Sequence, residues 1–320
     1  MEMEVSYFQA LEYTFSVTAP VFIIVFIGLW LKTAKKISPD FIQDASSLVF
    51  TVCLPVLIFL SIQNHSIDWS KQFSFIVFCM GAALVCFVLF WFLSGFWVAH
   101  EDRGVAVQGA FRSNLGIIGL ALCAKGFGES GLALGAVILS VVTPVFNVLS
   151  VYALNKSLHK GRSLSLFKTF SDVIKNPLII AIALGAVFSA AGFELPVVMH
   201  DAGTYLAQMT LPLALISIGG ALSLTELRRS SQLSLQVVCA KLIIVPIIVT
   251  FFAYFYGFRG VELGCIMLMF ASPTATASFI MVRAMGGNYA LASNIIVIST
   301  LCSALSISIL LYLAKVLEWI

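Results

Sequence analysis

Residues 109–122 read GAFRSNLGIIGLAL, an arginine, a serine, an asparagine and two glycines crowded into the middle of an otherwise apolar stretch. Residues of this kind at one depth of an apolar helix mark a place where the helix is interrupted and its backbone finds other partners. A second stretch, MFASPTATASF at residues 269–279, places Ser272, Pro273, Thr274, Thr276 and Ser278 in the same setting. Proline removes a backbone donor and clashes with the preceding turn, so carbonyls are freed there too. The alternative for either stretch is that its small residues simply let two helices approach closely.

The surrounding composition says what these helices are immersed in. Of 320 residues, 60% are apolar and 10% are charged, and the mean hydropathy is +1.04. A soluble domain carries about a quarter charged residues. Eighteen Lys and Arg and fifteen Asp and Glu cannot cover a water-facing surface, which excludes a soluble enzyme, a nucleic-acid binder and a disordered chain. The expected environment is the lipid bilayer.

Uncharged runs at 13–31, 45–67, 72–99, 130–155, 176–193, 202–225, 263–282 and 284–314 are each 18 residues or longer, enough to cross an apolar core of about 30 Å at about 1.5 Å per residue. Two more stretches, 104–124 and 230–258, are interrupted only by Arg112 and Lys241. The expected fold is therefore an all-α membrane protein of ten transmembrane helices, numbered here as spans 1 to 10. Strands are excluded because the runs are continuous and longer than the ~10 alternating residues of a barrel strand. Span 1 follows Glu2, Glu4 and Glu12 with no basic leader, and is read as a span and not as a removable signal. The seven cysteines fall within spans with no CxxC pair and are read as packing residues, with neither a disulfide, a metal nor any other cofactor expected.

With the N-terminus outside, twelve Lys and Arg fall in the cytoplasmic connections and four on the outer side, so both termini are expected outside. Pro20 and Pro177, Gly28 and Gly185, and Pro55 and Pro212 are each 157 residues apart. This constant offset predicts a duplication: a first repeat over 1–156, a cytoplasmic linker over 157–175 and a second repeat over 176–320. Five spans per repeat invert the second relative to the first, the plan of many secondary transporters. Spans 4 and 9 are then equivalent. The offset sets Gly116 against Pro273, and the inversion brings Asn114 and Pro273 together at mid-depth.

The segment FRSNLGIIGL, the KNPLII start of span 6, the mid-helix Leu-Pro pairs, the KLIIVP spacing from Lys241 to Pro246, and the stretch from ASPTATASF to STLCSAL resemble the auxin efflux carrier superfamily in its compact bacterial form. The resemblance spans nearly the whole chain. It implies a membrane carrier of organic anions, such as auxin in plants and malonate or malate in bacteria, with a fold like that of bile-acid symporters and sodium/proton antiporters in which spans 4 and 9 cross. It also implies a scaffold of spans 1, 2, 6 and 7 and a moving core of spans 3 to 5 and 8 to 10. Many relatives have a proline shortly after the span 4 glycines where this chain has Ala121. The central loop is too short for the large regulatory domain of the plant carriers.

All fifteen carboxylates lie outside the ten spans as drawn, so the interior is cationic or neutral. A lone cation at membrane depth costs several kcal/mol unless it faces a cavity, a partner or an anion. Arg112 either meets a carboxylate substrate or snorkels to the interface; Lys241, which lies deeper, either contacts substrate or braces the break. Asn147, with Tyr152 five residues on, is similar in placement to polar pocket residues of the plant carriers, or else makes an interhelical hydrogen bond. The expected substrate-binding set is Arg112, Ser113, Asn114, Gly116, Asn147, Tyr152, Lys241, Ser272, Pro273 and Thr274. An enzyme would need a buried nucleophile with a base or a metal cluster, and a sensor would need a soluble output domain. The reading is thus a carrier of small organic anions in the bacterial inner membrane, working by elevator-type motion, compatible with a homodimer through the scaffold, and independent of sodium because no span offers a carboxylate; the alternatives are a sodium- or proton-coupled symporter, the proton carried by Lys241, and a non-transporting sensor.

Overall fold

The computed structural model describes residues 7–63, 69–158, 177–222 and 231–320. Most of the linker expected at 157–175 lies outside the described residues, as do Lys160, Arg162, Lys168, Lys175, Arg228 and Arg229, half of the cations counted for the cytoplasmic side. Among the described residues the structure is helical throughout, with one isolated β-bridge. The elements are α1 (Tyr7–Thr33), α2 (Pro39–Leu48), a π-helical turn π1 (Val49–Cys53), α3 (Leu54–Gln63), α4 (Trp69–Ser94), α5 (His100–Phe111), π2 (Leu115–Gly119) and α6 (Leu120–Ser157). They continue as α7 (Pro177–Ala191), α8 (Val197–Ala221), α9 (Gln232–Cys239), π3 (Ala240–Ile244), α10 (Val245–Tyr256), α11 (Gly260–Ala271), α12 (Ala277–Met285) and α13 (Tyr289–Val316).

Among the described residues, seven helical stretches are long and apolar enough to cross a membrane, and α7 and α11 are shorter apolar helices. Large apolar side chains such as Phe73, Val85, Phe92, Phe252 and Phe255 point outward, where lipid takes the place of a second protein layer.

Two local rules explain where the helices depart from regularity. The π turns π1 and π3 each end two residues before a proline, Pro55 and Pro246. A proline has no N–H to return to the carbonyl four residues back, here Thr51 and Leu242, so the turn widens where that bond is lost. Hydropathy alone does not announce such turns, and the uncharged runs read straight through them. The second rule concerns α6, which runs without a loop from Leu120 to Ser157 where two spans were expected. Its bend is at Gly128, with φ 60° and ψ −146°, a combination open to glycine and strained for any side chain.

The repeat register also differs from the expected one. The helices that enter the two breaks, α5 and α11, are both 12 residues long, and their ends are 160 residues apart (260 − 100 and 271 − 111). On this register Ser113, and not Gly116, corresponds to Pro273. The 157-residue offset belongs to the prolines and glycines of α1, α3, α7 and α8, so the connections between those helices and the broken ones differ by three residues. Glu12, Asp40, Asp44, Glu101, Asp102, Glu129, Asp201 and Glu262 lie inside helices, contrary to the placement expected for carboxylates. Asp102 and Glu262 are half-buried and the other six exposed, and no Asp or Glu is buried among the described residues.

Gly128 provides a test that is free of packing effects, since a Cβ there meets nothing within 4 Å. Gly128→Ala should lower the stability of the detergent-purified protein by about 1–3 kcal/mol, the usual cost of holding a side chain in such a conformation. Thermal unfolding of variant and parent side by side measures it; an unshifted midpoint would mean that the α6 bend relaxes.

Candidate functional site

The chain leaves helix geometry after Phe111 and again after Ala271. Ser272 precedes a proline and is extended, at φ −55° and ψ 145°, as the proline ring requires. Arg112 is extended as well, at φ −83° and ψ 107°, with no proline nearby; Ala121 sits in regular α6 and takes no part in the break. The two extended segments pass each other antiparallel. Ser113 and Thr274 form a β-bridge, the Asn114 N–H donates to the Pro273 carbonyl at 2.7 Å, and the Ala275 N–H donates to the Arg112 carbonyl at 3.2 Å. Backbone groups freed by one break are thereby paired with the other. Asn114 and Pro273 meet, as the sequence predicted.

Side chains complete the exchange. Thr274 Oγ1 donates to the Gly109 carbonyl at 2.7 Å and Ser113 Oγ donates to the Phe270 carbonyl at 3.2 Å, so each hydroxyl caps the end of the opposite half-helix. The Thr274 N–H turns to Ser299 Oγ at 3.2 Å, which leaves the Phe270 carbonyl, four residues earlier, outside the helix ladder. Lys241 Nζ donates to that carbonyl at 3.0 Å and also to Ser113 Oγ. Gly119 permits the close crossing. A Cβ there would lie 2.7 Å from Met269 Sδ and 2.9 Å from Ser272 Oγ.

Beside the crossing is a cavity of about 560 Å³, within the range of small-molecule sites. Arg112, Ser113, Asn114 and Gly116 line it from the first break, Ala275, Thr276 and Ala277 from the second, Thr143 and Asn147 from α6, and Thr51 from π1; Pro177 and Leu178 at the start of α7 form part of its wall. Among the described residues Arg112 is its only charged lining residue. Only 5% exposed, Arg112 is held in place and does not snorkel. Its Nη2 donates to Asn147 Oδ1 at 2.7 Å and its Nη1 to Ser150 Oγ at 3.3 Å and to Met281 Sδ. A guanidinium has five donors, so Nε–H and one Nη2 hydrogen have no protein acceptor among the described residues. Asn114 Nδ2, also buried, has none either.

Five of the ten expected site residues therefore line this cavity: Arg112, Ser113, Asn114, Gly116 and Asn147. The other five do not. Tyr152 is 42% exposed, its ring against Phe87 and Trp91 at centroid distances of 6.0 and 5.8 Å. Ser272 donates back to the Leu268 carbonyl at 2.9 Å, Pro273 and Thr274 are spent on the crossing, and Lys241 is fully buried behind it. Thr51 and Thr143 are cavity residues that the sequence reading missed, and Thr276, which it set in the second break, lines the cavity without having been among the ten expected. For Thr51 the available signal was Pro55, whose missing N–H bears on the Thr51 carbonyl. No group of three His, Cys, Asp or Glu among the described residues could hold a metal ion.

The cross-capping can be tested by Thr274→Val, which keeps the shape and removes the hydroxyl. The buried Gly109 carbonyl then loses its donor, a loss of about 1–3 kcal/mol. Chemical unfolding in detergent should show that drop, while Thr204→Val, removing a hydroxyl bonded within α8, should change little.

The family model described as "Membrane transport protein" matches residues 13–166 and 160–311. Among similar proteins, one named "Putative malonate transporter" from Rhizobium meliloti (strain 1021) is 24% identical over 303 residues, covering 92% of this chain and 94% of that one. An "Uncharacterized transporter" from Methanothermobacter thermautotrophicus is 25% identical over 290 residues, covering 90% and 94%. The "Uncharacterized transporter YfdV" of Escherichia coli (strain K12) is 22% identical over 235 residues, covering 71% and 74%. With matches over nearly its full length and helices of membrane-crossing length and composition, the chain is a multi-pass membrane protein that belongs to the membrane transport protein family, the superfamily of the auxin efflux carriers that its motifs resemble.

Proposed function

We propose that the protein is a secondary carrier of small mono- or dicarboxylates, with the anion held in the cavity beside the crossing. The observation that carries this reading is the set of unspent donors there: the Nε–H and an Nη2 hydrogen of Arg112 and the Nδ2 of Asn114, in a cavity that no carboxylate lines among the described residues. Two helix starts add to it. The π2–α6 segment begins at Leu115 and α12 at Ala277, both on the cavity wall, and the first N–H groups of a helix attract anions. A relative that bears the name of a malonate transporter makes malonate the first substrate to assay.

In this proposal α5, π2 and the part of α6 before Gly128 form one crossing, the rest of α6 the next, and α11 with α12 another. This makes ten crossings in two inverted repeats with both termini outside. The packing supports a division into two bodies: α1 lies on α8, and α3 on α7 and α8, while α4, α5, α6 and α9 to α13 pack among themselves, and the face between the two is formed chiefly by α1 against α13 with α1, α3 and α7 against α6. Elevator motion of the second body against the first would move the crossing between the two sides. The cavity reaches Pro177 and Leu178, the first described residues after the central linker, so the conformation is read as open to the linker side. Among the described residues no buried carboxylate is available to a coupling ion, which favours transport driven by the substrate gradient and the membrane potential.

Uptake of radiolabelled malonate into proteoliposomes, with an imposed potential and no sodium, tests the proposal. Uptake should saturate and should resist competition by the neutral dimethyl ester. Arg112→Gln should raise the half-saturating concentration at least tenfold, since losing a buried charged donor costs about 2–5 kcal/mol and about 1.4 kcal/mol is a factor of ten. Normal uptake by that variant, or equal competition by the ester, would reject anion recognition at this site; strict dependence on sodium would reject the coupling.

A further inference from the structure

Arg112 and Lys241 are the only charged side chains buried among the described residues, and only Arg112 reaches the cavity. Lys241 sits on π3 between α9 and α10 with no exposure at all. Its Nζ donates to Ser113 Oγ and to the Phe270 carbonyl. Both acceptors are neutral oxygens, and no carboxylate is buried among the described residues to balance the charge. An unbalanced ammonium at this depth costs several kcal/mol. What offsets that cost is the end of α11: Phe270 is its penultimate residue, its carbonyl is released from the ladder because the Thr274 N–H bonds Ser299, and the C-terminal end of a helix carries about half a negative charge.

Carriers with broken helices divide their two ends by charge. Half-helix N-termini face the anionic substrate, and half-helix C-termini with unwound carbonyls take up the coupling cation. In this protein the C-terminal end of α11 and the hydroxyl of the opposing break form such an oxygen cluster, and a lysine ammonium fills it. We infer that Lys241 is a tethered cation occupying a monovalent-cation site at the crossing, so that the site is permanently filled and shortening the side chain opens it to sodium, potassium or ammonium. This deepens the carrier reading by explaining why no inorganic coupling cation is needed. A simple brace would behave differently, since a brace needs a hydrogen-bond donor and no charge.

The experiment follows thermal unfolding of detergent-purified protein in chloride salts of sodium, potassium and ammonium against choline at equal ionic strength. Lys241→Ala should melt below the parent in choline and recover by several degrees in at least one small cation. Lys241→Gln, which keeps N–H donors but no charge and fills the space, should show no such recovery. The parent should melt alike in all four salts. Equal melting of Lys241→Ala in choline and in every small cation overturns the inference, as does full stability of Lys241→Gln, which would mark a brace. Where Lys241→Ala does not accumulate, Lys241→Ser takes its place. A parent protein stabilised by a small cation over choline overturns the inference without any variant, because the site would then not be filled. Failure of the parent to take up malonate rejects the carrier reading and leaves the cation response measurable; uptake by the parent with no cation response in the shortened variants rejects only the tethered cation.

Discussion

A helix broken inside an apolar layer strands backbone carbonyls and N–H groups, each at a cost of several kcal/mol, and the pairing of Ser113 with Thr274 is where two such helices meet each other's need. Neither break is affordable alone. Together they share a short antiparallel ribbon, and each lends a hydroxyl to the end of the other's incoming helix. Much else follows from this exchange. It fixes where α5 and α11 stop and where π2 and α12 begin, and so directs two helix starts at one cavity. It holds the Arg112 backbone extended, from which the guanidinium reaches Asn147 and Ser150 on α6. It also releases the Phe270 carbonyl that Lys241 takes up.

The existence of both breaks was legible because Pro273 forbids a helix and because Arg112, Ser113 and Asn114 have no reason to share an apolar run. Their register was not. The 157-residue offset was measured on the prolines of α1, α3, α7 and α8, and three residues of connecting chain shift the broken helices to 160 without disturbing any helix. Chain length in a connection is cheap, so a repeat can keep its helices and lose a single offset. The π turns were invisible to hydropathy for a related reason: a widened turn changes which carbonyl is bonded and leaves apolar length untouched. Only Pro55 and Pro246, two residues beyond π1 and π3, carried a trace of them.

Half of the expected site residues line the cavity, and the other half shows what polarity in an apolar segment does and does not say. Ser272 and Thr274 need hydrogen-bond partners, and a sequence states that need without stating whether a ligand or the backbone meets it. Here the backbone does. Tyr152 was placed, with Asn147, by its resemblance to polar pocket residues of the plant carriers, but five residues is more than one helical turn, and its ring faces the aromatic cluster of α4 instead. Thr51 and Thr143 escaped notice because each is a single hydroxyl in an apolar run, a residue that usually bonds its own helix, as Thr51 does with the Ser47 carbonyl.

The burial of two cations and no carboxylate among the described residues has an electrical consequence in the proposed cycle. A moving body with Arg112 and Lys241 fixed inside it carries two buried positive charges when empty, of which a monocarboxylate leaves one unbalanced and a dicarboxylate none. A membrane potential acts on each charge carried across it with about 2.3 kcal/mol per 100 mV. In a cell that is negative inside, the voltage pulls the empty body toward the cytoplasmic position, the side to which the cavity is read as open. A doubly charged guest cancels that pull. The voltage then works on the return of the empty protein and not on the loaded step, so a dicarboxylate would cross as a neutral passenger while the unloaded carrier is the charged particle that the field resets.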